Sequence, residues 1–291
     1  MIVIIGRSSQ IGFVVAPLWA RLAPMTDPSP ADLLARYDAQ LRDEAELVSA
    51  DTRERHGPVL WGVYRGVRGF VTYRDLGGLD AARIEQLVQE TLEHYRSDER
   101  ITRVEWKTRG HDVAPGLHDA LVTQGFVPGA PESVMIGEAA KLAVDVPLPD
   151  GAAVELRRVE SEADVRRLCE AADEAFGEAV PGMADELLDR LALGRDDLEL
   201  WVAEIDGLVV CTGRIEPVVG TEFAGLWGGA TLAQWRGRGI YRALTAARAR
   251  SALRRGATLL HSDSTEHSRP ILERSGFVKV TTTTPYVWRR P

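Results

Sequence analysis

The chain has 291 residues, 45% hydrophobic and 27% charged, with a formal net charge of −8, which fits about two globular domains with adequate cores and speaks against general binding of nucleic acid. Its two cysteines, Cys169 and Cys211, support neither a disulfide framework nor a cysteine metal site, and suit a reducing cytoplasm. Six histidines, at 56, 94, 111, 118, 261 and 267, lack metal-ligand spacing, so no metal is expected.

Residues 1–24 form an apolar leader interrupted by Arg7. No basic region precedes it and neither apolar run reaches the roughly 20 residues that span a bilayer, so no membrane partner is expected. Met25 is the expected biological start, because Thr26 to Pro30 then opens a helix that carries Leu33, Leu34, Tyr37 and Leu41. Two strands near 59–74, a helix over Leu79–Tyr95, a strand over Ile101–Lys107, a short helix and a strand over Ser133–Ile136 complete a first unit, 25–145. Inside it, Leu76-Gly77-Gly78-Leu79 can turn a strand into a helix. The polar run from Trp106 to Asp112 ends a strand and faces either a substrate or solvent. Ala139 to Asp150, with Pro147 and Pro149, reads as the linker to a second unit, 151–291.

In the second unit Ser161 precedes the apolar run Val165, Leu168, Ala171, Ala172 and Ala175, with Glu162 and Asp164 suited to a positive helix start. Asp206-Gly207 between two apolar runs is a two-residue hairpin signal. Gly276 suits a helix end and Phe277 opens an alternating strand. The stretch that says most about function runs from Leu226 to Leu253. An apolar strand leads into Gln234-Trp235-Arg236-Gly237-Arg238-Gly239 and then an Arg-rich helix. Two glycines one residue apart let backbone N–H groups converge on an anion, and the following helix points its positive end there. Arg236, Arg238 and Arg242 can add charge-assisted bonds, and seven of the twenty positions from 236 to 255 are arginine. The same pattern also serves as a tight turn before a solvated helix face. A dinucleotide fingerprint and a P-loop are both excluded, since neither a third glycine at the right spacing nor Gly-Lys-Ser/Thr is present.

Gln234-x-x-Gly237-x-Gly239 resembles the acyl-CoA signature of the GNAT superfamily of acyl-CoA-dependent N-acyltransferases. The resemblance extends over about 140 residues. Ala153–Val159 is similar to the family's first strand, Ser161–Phe176 to its first helix, Leu200–Asp206 and Leu208–Glu216 to its hairpin, and Leu226–Leu232 to its fourth strand. Thr258–Asp263 resembles the fifth strand, and Pro270 to Phe277 the helix that ends in Gly-Phe. A second, weaker resemblance lies in the first unit, where Ala120 to Val127 repeats the pattern of Ile271 to Val278.

The resemblance implies an α/β protein of two tandem GNAT-like units, each a mixed, mostly antiparallel sheet flanked by helices, the first degenerate and the second catalytic. It implies an N-acetyltransferase that uses acetyl-CoA as co-substrate to acylate a primary amine of a small-molecule or peptide acceptor, acting as a monomer or homodimer. Cofactor binding would fall to Thr231, Leu232, Gln234, Arg236, Gly237, Arg238, Gly239, Ile240, Tyr241, Arg242 and Ser268. Glu222 and Glu216 are the candidate catalytic carboxylates, with solvated loop positions as the alternative, and His261 and Asp263 are further candidates. Trp227 lies on one face of the fourth strand, for a substrate pocket or for the core. One departure bears on mechanism. Where many family members carry a tyrosine that protonates the leaving thiolate, this chain has Leu272. A non-catalytic acyl-CoA sensor or a scaffold is therefore the competing expectation.

Overall fold

The computed structural model describes residues 27–148, 153–266 and 268–291. The proposed leader, the Met25 start, the end of the linker and His267 lie outside them. The N-terminal half contains α1 (Pro30–Leu41), β1 (Thr52–His56), β2 (Val59–Tyr64), β3 (Arg68–Tyr73), α2 (Ala81–Ser97), β4 (Arg103–Arg109), α3 (Leu117–Thr123), β5 (Val127–Pro128), β6 (Glu132–Glu138) and α4 (Ala139–Leu142). The C-terminal half contains β7 (Glu155–Val159), α5 (Glu162–Phe176), α6 (Met183–Ala192), β8 (Glu199–Ile205), β9 (Leu208–Pro217), β10 (Phe223–Thr231), α7 (Ile240–Arg254), β11 (Leu259–Ser264), α8 (Arg269–Glu273) and β12 (Val278–Arg289).

Local chemistry sets most of these boundaries. Ser29 caps α1 in a reciprocal capping box with Asp32, and Ser161 caps α5 by accepting from the Asp164 amide. Asp206 and Gly207 both have positive φ, at 49° and 80°, as a two-residue hairpin turn demands. Four elements were not foreseen: the edge strand β1, the short strand β5, the helix α6, and the single turn α4 at the start of the proline-bearing linker.

All twelve strands of the described residues belong to one mixed, mostly antiparallel sheet, ordered β1-β2-β3-β4-β12-β6-β11-β10-β9-β8-β7 with β5 beside β12. The order does not respect the two halves of the chain. β6 pairs antiparallel with β11 from Leu259↔Glu138 to Ser264↔Ser133, in the other half. β12 pairs in turn with β4, from Thr283↔Arg109 to Arg289↔Arg103, and with β6. Each half thus donates its last long strand to the sheet of the other, and the backbone ladder that joins them is continuous.

Two parallel pairs mark matching places in the halves: β3 with β4, and β10 with β11. In the N-terminal half the last parallel partners are Val71 and Trp106, and Tyr73, Trp106 and Phe126 are packed around that point with at most 2% exposure. In the C-terminal half β10 and β11 pair only from Phe223↔Leu259 to Gly225↔His261. Past Gly225, β10 bulges between Trp227 and Ala230, with Gly228 at φ 57°, and the two strands part.

Candidate functional site

The loop after β10 has the geometry its glycines suggest. Gly237 and Gly239 sit at φ 74° and 79°, and Gly239 begins α7 with no side chain capping it. The helix start therefore offers free N–H groups and the positive end of its dipole. Gly239 also has to be small, because a Cβ there would lie 3.2 Å from the Pro147 carbonyl oxygen of the linker.

The implied cofactor residues surround this loop in three ways. Gln234, Arg236, Gly237, Arg238 and Arg242 are exposed on it, while Leu232 and Ile240 are buried beneath and Thr231 donates its hydroxyl to the Cys211 sulfur. The Tyr241 ring packs against Gly229, where a Cβ would come within 2.9 Å of it. Ser268 stands apart at the start of α8 and shares a 3.1 Å hydrogen bond with Thr265. Not all of the arginine run is available to an anion. Arg236 donates to the carbonyls of Thr231 and Ala175, and Arg255 pairs with Glu199. Arg248 is 1% exposed, directed at the Thr245 hydroxyl and the Arg214 carbonyl on the other side of the helix. The positive patch is consequently local to the loop.

At its far end the parting of β10 and β11 meets a cavity of about 440 Å³ lined by both halves. Trp227, His261 and Asp263 come from the parting strands, Lys107 and Glu105 from β4, and Tyr37 and Glu46 from the segment around α1. A buried charge cluster makes the floor. Lys107 Nζ donates to Asp263 at 2.8 Å and lies 3.7 Å from Glu46, while the Arg109 guanidinium bonds both Glu46 and the Tyr37 hydroxyl. Burial pushes the Asp263 carboxyl up, but Lys107 and Arg109 outweigh it and hold it below its ordinary value. Burial likewise pulls the Lys107 ammonium down, and Asp263, Glu46 and Tyr37 together more than restore it. Both groups are accordingly charged, and each requires the other.

His261 differs. Its imidazole lies edge-on to Trp227, with ring centroids 5.4 Å apart, and Nδ1 is buried without a hydrogen-bond partner. Burial pulls its pKa down to about 4, against the weaker opposing pull of Asp263, so the ring is neutral near pH 7.

The two candidate carboxylates are far from equivalent. Glu216 lines the cavity, with its oxygens taken up by Arg190 and by Arg214 at 2.7 Å. Glu222 is not on the cavity wall; it is held beside α1 by Gln40 at 2.8 Å and Arg36 at 3.4 Å, on the outer end of β10. The expected polar run of β4 reaches the site through Lys107, and Trp227 faces the cavity rather than the core. Sequence reasoning placed Tyr37 only on an apolar helix face and missed Glu46 and Arg190 altogether, and only their clustering in space marks them.

No protein-family model and no curated protein matches this chain. Solved structures do. A GCN5-related N-acetyltransferase from Kribbella flavida superimposes with a TM-score of 0.62 at 18% identity, over 87% of this chain and 94% of that one. A functionally unknown conserved protein from Staphylococcus epidermidis gives 0.62 at 13% identity, over 84% and 96%. A tandem GNAT protein from the clavulanic acid biosynthesis pathway gives 0.55 at 14% identity, over 80% and 79%. The chain has the fold of the GNAT acetyltransferases, along nearly its whole described length.

Proposed function

We propose that this protein is an acyl-CoA-dependent N-acyltransferase, whose C-terminal half binds acetyl-CoA or another short acyl-CoA and whose cavity between the halves holds a primary amine. The observation that carries this reading is the parting of β10 from β11. It opens a slot between an uncapped, glycine-turned helix start at one end and a cavity at the other. From Thr231 back to Gly225 the strand covers about 20 Å, a length comparable with an extended pantetheine arm. A diphosphate on the Gly237–Gly239 loop would accordingly place a thioester near Trp227 and His261.

The residues present fit that occupant. Exposed Arg238 and Arg242 flank the loop, β10 edge groups past Gly225 that β11 does not pair are available to the arm's amides, and Gly228 removes a side chain from its path. The N-terminal half is proposed to bind no acyl-CoA and to serve as one wall of the acceptor cavity, with 25–145 and 151–291 as the two units. The buried free cysteines support a cytoplasmic setting, and no helix among the described residues is long and apolar enough to cross a membrane.

A second reading has one observation in its favour. Leu272, 3% exposed, offers no proton where a hydroxyl would serve as acid, as in a protein that senses acyl-CoA without turnover. Calorimetric titration of acetyl-CoA and of free CoA into wild type and a Gly237→Asp/Gly239→Asp variant tests the shared premise. Saturable binding by wild type and a loss of roughly 100-fold or more in the variant are expected, since a carboxylate in the loop repels the diphosphate. The paired variant Gly77→Asp/Gly78→Asp, which introduces the same charges and backbone strain at φ 64° and 71° in the other half, should bind as wild type does. Absence of wild-type binding at low salt overturns the proposal, and binding without transfer to any of a panel of amines supports the sensor.

A further inference from the structure

Where β10 and β11 part, the last parallel partners are Gly225 and His261. A Cβ on residue 225 would strike the Trp227 ring and lie 3.2 Å from His261 Nε2, so glycine is what lets the imidazole lean over the point of divergence. The ring takes no hydrogen bond from any described residue, and its buried Nδ1 has no partner. Such a group normally finds one, because leaving a buried polar atom unpaired is costly. The matching place in the N-terminal half is filled by Trp106, a fully buried indole that cannot accept a proton. The charged neighbours Lys107 and Asp263 satisfy each other at 2.8 Å, which leaves the imidazole beside them as a neutral nitrogen base where the slot meets the cavity.

We propose that His261 carries the proton in acyl transfer, taking it from the attacking amine and delivering it to the departing sulfur. This rests on the acyltransfer reading above and supplies the acid that Leu272 does not. The amine lone pair forms the C–N bond to the thioester carbonyl, and an N–H proton passes to the imidazole. The C–S bond breaks with its electron pair going to sulfur, and the imidazolium returns the proton to the thiolate. The products are an amide and a thiol, with no net gain or loss of protons. A histidine held neutral accepts the proton without first having to lose one, and as a cation in a site that disfavours charge it gives the proton up readily.

The test uses acetyl-CoA with hydroxylamine as the acceptor probe, because it is small, largely uncharged near neutral pH and requires no specific recognition. His261→Asn and His261→Ala should bind acetyl-CoA calorimetrically as wild type does, which also reports folding. Hydroxamate formation should fall about 100-fold in both, and free imidazole should restore part of the rate to His261→Ala. Rescue by a diffusible base is something a packing role would not give. Independently of turnover, the His261 ring-nitrogen resonances of the wild type should shift on binding CoA and stay in place with desulfo-CoA, which lacks the thiol. An undiminished rate in His261→Asn, an unmoved resonance with CoA, or wild type that binds acetyl-CoA yet transfers nothing to hydroxylamine overturns the proposal. Wild type that binds no acetyl-CoA instead overturns the acyltransfer reading beneath it.

Discussion

The two halves meet the same structural problem, a parallel strand pair that must end and turn into a helix, and they resolve it oppositely. In the N-terminal half the ending is plugged: Tyr73 and Trp106, with ring centroids 6.4 Å apart and no exposure, fill the wedge. The helix that follows is already neutralised, for Asp80 caps α2 by accepting from the Arg83 amide and Asp75 accepts from the Gly77 amide. In the C-terminal half the equivalent ring pair, Trp227 and His261, stands on the wall of a cavity, and the helix start is bare. Carboxylates at one helix start and none at the other, among the described residues, make the first unfavourable and the second favourable for an anion. The comparison teaches that one architecture is closed or left open by a handful of side chains at the point where two strands separate.

The comparison breaks if the halves prove independent. Residues 153–291 expressed alone lack β6, the neighbour of β11, and leave β12 without β4 and β6. They should show no cooperative unfolding transition by circular dichroism, and co-expression with residues 27–148 should restore one; a sharp transition in the isolated fragment would show the strand exchange to be dispensable. Plug and slot can be weighed against each other by truncation. Trp106→Ala should cost about 3–5 kcal/mol in denaturant titration, and Trp227→Ala on the cavity wall about 1–2 kcal/mol. Equal costs would remove the distinction.

Acid sharpens it further. The folded protein keeps His261 neutral with a pKa near 4, whereas the unfolded chain takes up that proton at its ordinary value of 6.5. The unfolded state thus binds more protons between those values, and stability falls as pH is lowered from about 6.5 to 4, by up to about 3 kcal/mol. In His261→Gln that part of the loss should vanish, leaving the protonation of Asp263 at still lower pH. An unchanged pH profile would place His261 in contact with water.

Much of this was legible in the sequence where the information is local. The Ser161 cap, the Asp206-Gly207 hairpin and the Gln234 to Gly239 loop each carry their own chemistry within a few residues, and each lies in the structure where that chemistry requires. The resemblance of the strand order to the GNAT fold was legible for the same reason. The exchange of β6 and β12 was not, because alternation along 278–289 specifies a strand and says nothing of its neighbours. The cavity was illegible for a stronger reason: Tyr37, Lys107 and Asp263 are brought together by that exchange alone. Glu222 stood out by its position along β10, but position does not reveal that Gln40 and Arg36 hold it outside the cavity.

The exchanged strands also set a timetable for synthesis. β12 follows every other strand in the chain, yet it lies between β4 and β6 near the middle of the sheet. On the ribosome, the N-terminal half must wait with the β4 edge bare, an open template for mispairing, until nearly the whole protein has emerged. The half whose strand ending is plugged cannot then be discarded by truncation, because the other half holds the strand that closes it and depends on β6 in return.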